Sequence, residues 1–315
     1  MAIVVGSCRS HYTSDSTLPT TTSMPPPPEV DIAYGPVTGC AGPTQDPCGG
    51  SQTLDIYRAT GVTPQTATQG SPRKVVVWIH GGGFVAADKT GSLSKYFKGL
   101  LDDGWDIVAI NYRLAQNGKN EFPTGIRDVK RAVRWVKANA ATQGWDPTAV
   151  AAMGHSAGGN LAQMLATTAG DPSLEDPDLP AELAAVDSSV TSATSLAGVS
   201  DMRSFRDSGL FTKVVAEYLG CSENCDALLD AASVQTHVDA NSAPVLAIHG
   251  ALDPFAAPIQ GELVRDAYKK AGIGDRFKLI IVDDGPKDFQ AHVPDMRRWI
   301  GDVVSWFNDH LPDAG

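Results

Sequence analysis

The stretch Ala149-Val150-Ala151-Ala152-Met153-Gly154-His155-Ser156-Ala157-Gly158-Gly159-Asn160 decides how this chain is read. Ala149–Met153 is apolar without alternation, as suits a strand buried on both faces of a parallel sheet. Asn160–Thr168 has helical composition. Between them lies Gly154-x-Ser156-x-Gly158, a turn from strand to helix. Glycines flank the serine because such a turn brings backbones together, holds the serine in strained dihedrals and leaves its hydroxyl at the strand's carboxyl end. Taken alone, the same residues also fit an ordinary glycine-rich turn that packs a helix closely.

The neighbouring segments remove much of that ambiguity. Upstream, Val75–Ile79 is an apolar run ending in His80 and three glycines, and Asp106–Tyr112 repeats the pattern. Ile126, Val129, Ala132, Val133 and Val136 recur at helical spacing, so Pro123–Ala140 is predicted as an amphipathic helix with Pro123 at its start. Downstream, Ala193–Val199, Val245–His249 and Leu279–Val282 read as strands. Met296–Leu311 closes the chain as a helix with Ile300, Val303, Val304 and Phe307 on one face. Two shorter strands, Asp31–Tyr34 and Leu54–Thr60, come first. Strands alternating with helices predict an α/β fold, a doubly wound and mostly parallel sheet in one domain over residues 31–315. Ala87–Lys98 and Arg203–Val238 fit the alternation poorly, and 203–238 is expected to fold over the sheet edge as a small cap.

Composition narrows the function classes. Apolar residues make up 42% and charged residues 19% of the 315, a balance able to bury a large core. The net charge of −11 repels polyanions and no Lys/Arg run exceeds two, which argues against a nucleic-acid partner. No stretch approaches the roughly 18 apolar residues of a transmembrane helix.

The five cysteines fall as Cys8, then the pairs Cys40 with Cys48 and Cys221 with Cys225. Both pairs could close small loops in an oxidising compartment, and four free thiols are the alternative. Neither pair has His or Cys companions at zinc-finger spacing. Val5-Gly6-Ser7-Cys8 resembles the cleavage box of a bacterial lipoprotein, and residues 1–30 have the Ser/Thr/Pro composition of a tether. The expectation is an exported protein with Cys8 as a candidate lipid-anchor site.

The chemistry begins at His80-Gly81-Gly82-Gly83-Phe84. A tetrahedral oxyanion needs two or three N–H donors aimed at one point, and consecutive glycines let backbone approach substrate unobstructed. Ala157, following the serine, would add its own amide. A phosphate loop would need a GxGxxG order or a Walker lysine, and neither is present.

The pair His80–Phe84 and Gly154–Gly159 resembles the hormone-sensitive-lipase-like esterases and the related bacterial feruloyl and acetylxylan esterase-type hydrolases, all of the α/β-hydrolase fold. The likeness runs from about Asp31 to the end. It implies Gly82, Gly83 and Ala157 as oxyanion donors and a structural role for His80, bracing the loop through hydrogen bonds. A serine hydroxyl is a poor nucleophile at neutral pH, so a histidine must take its proton and a carboxylate must orient that histidine. The order in this fold is Ser, acid, His. The resemblance puts the acid on His249-Gly-Ala-Leu-Asp253, hence Asp253, with a turn or capping aspartate as the alternative.

Only His292 and His310 follow, and His310 sits at the end of the last helix, where a positive charge suits the macrodipole. His292, between the last strand and that helix, is the expected base. Gln290-Ala291-His292-Val293-Pro294 lacks the glycine that related enzymes often carry beside this histidine. His155 reads as a surface or packing residue and His237 as a loop hydrogen bonder. Asp128 and Asp201 read as ion-pair partners or site-lining groups. Phe84, Phe255 and Phe289 are candidate substrate-pocket residues, as are Leu210 and Phe211, with core packing the equal alternative for each.

The expected activity is hydrolysis of a small or carbohydrate-linked carboxylic ester through an acyl-enzyme, with no metal or cofactor. An amidase, formamidase or peptidase on the same scaffold is the nearest alternative. A non-catalytic binding protein of this fold is a more distant one.

Overall fold

The apolar runs become the strands β1 (Glu29–Ala33), β2 (Thr53–Tyr57), β3 (Arg73–Ile79), β4 (Trp105–Ile110), β5 (Trp145–His155), β6 (Ala193–Leu196), β7 (Val245–Gly250) and β8 (Phe277–Val282). The structure is a computed structural model that describes residues 29–36, 52–90, 94–283, 292 and 299–312. All eight strands join one sheet in the order β1-β2-β4-β3-β5-β6-β7-β8. β1 with β2 and β2 with β4 are antiparallel, and every later pairing is parallel.

The helices are α1 (Ser94–Asp102), α2 (Thr124–Ala138), α3 (Ala140–Gln143), α4 (Ala157–Thr168), α5 (Ala181–Ala184), α6 (Met202–Asp207), α7 (Thr212–Leu219), α8 (Asp226–Ala231), α9 (Ile259–Lys270) and α10 (Ile300–Asp309). The pleat splits the core in two. Val75, Val77 and Ile79 of β3 pack with Ile126, Val129 and Val133 of α2, Leu161 and Leu165 of α4, and Val264 of α9. Val76 and Trp78, one residue out of phase, pack with Phe97 and Leu100 of α1 and Val303 and Phe307 of α10. Covering both faces is why these strands read as unbroken apolar runs rather than as alternation.

Boundaries differ from the predicted ones where side chains intervene. β2 ends at Tyr57 rather than Thr60, because Asp106 accepts from the Ala59 N–H at 2.8 Å and from Arg58 at 3.0 Å, turning the chain away. Buried Asp106 also takes the Trp145 indole N–H at 2.8 Å and pairs with Arg73 at 2.9 Å. β5 starts at Trp145, ahead of the apolar run, across a register shift in which Arg73 opposes Trp145 and Val75 opposes Val150. The intervening Asp146 accepts from the Thr148 N–H at 2.8 Å, a turn-like arrangement inside the strand. β6 stops at Leu196, since Ala197 takes φ 46°.

Segment 203–238 forms most of α6, then α7 and α8, between β6 and β7. Cys221 and Cys225, between α7 and α8, form a disulfide with Cα atoms 5.9 Å apart. Cys8, Cys40, Cys48, Phe289 and most of the 1–30 tether lie outside the described residues. Among the described residues no helix is long and apolar enough to cross a membrane.

Candidate active site

Three chain segments meet at the carboxyl ends of the central strands. Ser156 follows β5 with φ 55° and ψ −118°, a left-handed conformation that a side-chain-bearing residue seldom adopts. Two backbone bonds hold it there. Its N–H donates to the Leu196 carbonyl at 2.9 Å, and its own carbonyl accepts from Asn160 at 3.1 Å, the first bond of α4. The flanking glycines are required by contact. A Cβ on Gly154 would lie 2.1 Å from the Gly158 oxygen, and one on Gly158 would lie 2.1 Å from the Ile79 oxygen.

The glycine run after β3 lies against this turn. A Cβ on Gly81 would come 3.2 Å from Cβ of Ser156. Gly82 and Gly83 have φ of 105° and 64°, and the Gly82 carbonyl accepts from Val85 and Ala86. Among the described residues no acceptor takes the N–H of Gly82, Gly83 or Ala157. His80 is buried and stacked on Tyr112, with ring centroids 4.4 Å apart. Burial lowers its pKa to about 4, so the neutral ring donates Nδ1–H to the Gly81 carbonyl at 2.7 Å. Tyr112 in turn donates to the His80 carbonyl at 3.1 Å.

Asp253 and His292 are joined directly. Asp253 Oδ2 lies 2.8 Å from His292 Nδ1, and Oδ1 accepts the N–H groups of Phe255 at 2.8 Å and Ala256 at 3.1 Å. Burial pushes this carboxyl's pKa up, but the His292 bond and the two amides outweigh it and hold the pKa below the ordinary range. Asp253 is therefore ionised and fixes the proton of His292 on Nδ1, leaving Nε2 as the basic nitrogen. The imidazole also meets the Ser156 turn. The rings of His155 and His292 are 4.9 Å apart, and His155 Nε2 lies 2.8 Å from the His292 carbonyl oxygen. Buried His249 donates Nδ1–H to the Ala256 carbonyl at 3.0 Å and so braces the turn that carries Asp253.

The apolar candidates separate. Phe255 presents its ring edge to His292 at 5.2 Å and meets Phe211 at 5.6 Å, while Phe211 stacks on Phe205 of α6 at 4.4 Å. Leu210, beside Phe211, is exposed. Phe84 is corrected to a core residue. It is buried and stacked on Tyr218 of α7 at 3.8 Å, because its φ of 68° turns the ring inward beneath the glycine run. Beside that run, Val85, Gln116, Asn117, Lys213, Val214 and Glu217 line an open groove of about 510 Å³.

Other sequence candidates take structural places. Asp128 is buried, bonded to Gln52 at 2.6 Å and paired with Arg113. Asp201 caps α6 through the Arg203 N–H. His237 donates to the Ala231 carbonyl and His310 to the Trp306 carbonyl. His155 is half-buried against His292 rather than on the surface. Gln260, which sequence reading missed, accepts the N–H of Ser200 and Asp201 and donates to Ser204 at 2.9 Å, tying α9 to the start of α6. A glutamine on a helix carries no signal of that role. Among the described residues no three His, Cys, Asp or Glu side chains group as a metal site.

The BD-FAE family model matches residues 54–268, which span the glycine run, the Ser156 turn and Asp253. The chain belongs to the BD-FAE family. The chain is 32% identical over 241 residues to the probable carboxylic ester hydrolase LipM of Mycobacterium tuberculosis, covering 73% of this chain and 49% of that protein. It spans about half the length of the curated relatives it matches. Among solved structures, a truncated carbohydrate esterase from gut microbiota superposes with a TM-score of 0.74 at 22% identity, over 92% of this chain and 98% of that one. A bifunctional GH43-CE protein of Bacteroides eggerthii superposes with a TM-score of 0.73 at 26% identity, over 90% of this chain and 38% of that one. The fold is that of the α/β-hydrolases.

Proposed function

We propose that this chain is a serine carboxylesterase with Ser156 as nucleophile, His292 as general base and Asp253 as the acid that orients it. The observation that carries the reading is the 2.8 Å bond from Asp253 to His292 Nδ1, formed by a base whose ring lies against the residue preceding Ser156. In the proposed cycle His292 Nε2 takes the Ser156 proton as the hydroxyl oxygen attacks the ester carbonyl. The tetrahedral oxyanion accepts from the N–H groups of Gly82, Gly83 and Ala157, each essential donor contributing about 3 kcal/mol. Collapse expels the alcohol, which takes the proton from His292, and water then cleaves the acyl-enzyme by the same route.

The name of the M. tuberculosis relative, a probable carboxylic ester hydrolase, supports ester chemistry. Within the same reading, segment 203–238 is a cap over the acyl side of the site, its Phe211 meeting Phe255 beside the base. The groove beside the glycine run, with Gln116, Asn117, Lys213 and Glu217 on its walls, suits the hydroxyl-rich alcohol of a carbohydrate-linked ester. The Cys221–Cys225 bridge supports an oxidising compartment, in keeping with export and with Cys8 as an anchor site.

The test is labelling with a fluorophosphonate, together with turnover of p-nitrophenyl acetate and of its matched anilide. Labelling at Ser156, and ester turnover abolished in Ser156→Ala, are the expected results. An unlabelled wild-type protein overturns the reading, and anilide turned over faster than ester makes the chain an amidase.

A further inference from the structure

His155 stands at a junction that the triad chemistry does not use. It ends β5, where its backbone pairs with Leu196 of β6, and the next residue is Ser156, whose N–H also bonds to Leu196. The peptide unit bearing this imidazole is therefore among the best fixed in the site. Its ring spans outward from that point. Nδ1 lies 3.0 Å from where a Cβ on Gly81 would sit, so one edge of the ring borders the glycine run. Nε2 lies 2.8 Å from the main-chain oxygen of His292, a residue 137 positions away.

A carbonyl only accepts, so Nε2 must carry the proton. The pKa of His155 is lowered to about 4, first by burial and then by the nearby His292, so the ring is neutral at working pH, with Nε2–H the donor and Nδ1 bare. It thus adds no positive charge beside a base that must itself become imidazolium.

We infer that His155 is a positioning residue that holds the main chain of His292 in register with Ser156 through its Nε2–H bond to the His292 carbonyl. The argument rests on the geometry of anchoring. Asp253 holds the side chain of His292 at Nδ1, which fixes one end of the ring. The bond from His155 comes from a different strand and reaches the backbone of the same residue, so side chain and main chain of His292 are each anchored. It also refers the base directly to the peptide that carries the nucleophile. This inference rests on the proposed triad, and its test is arranged to fail separately from that reading.

The experiment uses the full chain as wild type, His155→Leu and His155→Gln. Active sites are titrated with the fluorophosphonate so that every rate is per competent site, which removes any effect of misfolded protein. p-Nitrophenyl acetate then gives kcat and KM. Leucine keeps apolar volume but has no donor, whereas the glutamine amide donates to the same carbonyl. In His155→Leu, kcat per titrated site is expected to fall about 10- to 100-fold with KM within about three-fold of wild type, the signature of a displaced reacting group. His155→Gln is expected to recover at least about ten-fold over leucine. A glutamine variant no better than leucine, or a leucine variant within about two-fold of wild type, overturns the inference. Should His155→Leu yield no titratable sites, His155→Met, which is apolar and has no donor, takes its place under the same criterion. Absence of labelling in the wild type would instead refute the triad.

Discussion

Replacing Gly158 by alanine should disable this site more thoroughly than most changes of a single methyl group. The added Cβ would lie 2.1 Å from the Ile79 oxygen and 2.5 Å from the His80 oxygen, where real Cβ contacts do not fall below 3.0 Å. Relief therefore requires the end of β3 and the start of α4 to part by about 1 Å. Both obstructing atoms are backbone, so no side chain can rotate aside. The displaced strand end carries the glycine run, and a misplacement of about 1 Å between reacting groups costs about 100-fold in rate. Overpacking a buried site costs about 1–3 kcal/mol, and a backbone clash belongs at the upper end. Gly81→Ala is the milder case, its nearest obstacle being the His155 oxygen at 2.9 Å, and about a ten-fold loss is expected. Gly301→Ala is the control, since nothing lies within 4 Å and the residue is exposed in α10. It should gain up to about 1 kcal/mol with activity unchanged. The assay is kcat/KM per titrated site with urea unfolding alongside. A Gly158→Ala protein within about three-fold of wild-type activity would refute the close approach of β3 and α4 on which the site depends.

Stability should fall as pH drops from 6.5 towards 4. His80 and His155 have folded pKa values lowered to about 4 from an ordinary 6.5, so between those values the unfolded chain binds protons that the native state refuses. Their stabilisation is complete above pH 6.5 and is lost below it, at roughly 3 kcal/mol for each. Calorimetry from pH 7 to 4.5 should show a shallower decline of Tm in His155→Gln, and equal slopes would contradict the assignment. Asp253→Asn should lower kcat about 10⁴-fold, because the amide neither selects the right tautomer nor stabilises the imidazolium. A loss below ten-fold in steady-state kinetics would rule out Asp253 as the orienting acid. Cys221→Ser with Cys225→Ser opens a short loop and should cost about 2 kcal/mol, read as a lower urea midpoint at unchanged m. An unchanged midpoint would mean that the bridge constrains nothing that unfolding releases.

The sheet was legible because burial on both faces leaves a mark in the composition itself, as Val75–Ile79 and Val245–His249 show. Gly154–Gly159 and His80–Gly83 were legible because turns of this kind admit few residues, and the contact distances at Gly154 and Gly158 give the reason. What stayed hidden depends on partners far away in sequence. Nothing near His155 announces a bond to residue 292, and nothing near Gln260 announces Ser200 and Ser204. Phe84 stayed open between pocket and core because adjacency to the glycine run says nothing about which way a ring turns, and with a positive φ its ring stacks on Tyr218. Asp106 read as the polar start of a strand, yet it gathers Arg58, Arg73 and Trp145 under the sheet.

The left-handed backbone at Ser156 sets two demands against each other. On the proposed triad, a glycine there would relax the peptide and make a hardier molecule, but an inert one. The sturdiest relative of this protein and the most active one are therefore different sequences. Selection for heat resistance alone would drift away from the serine unless turnover were screened at the same time.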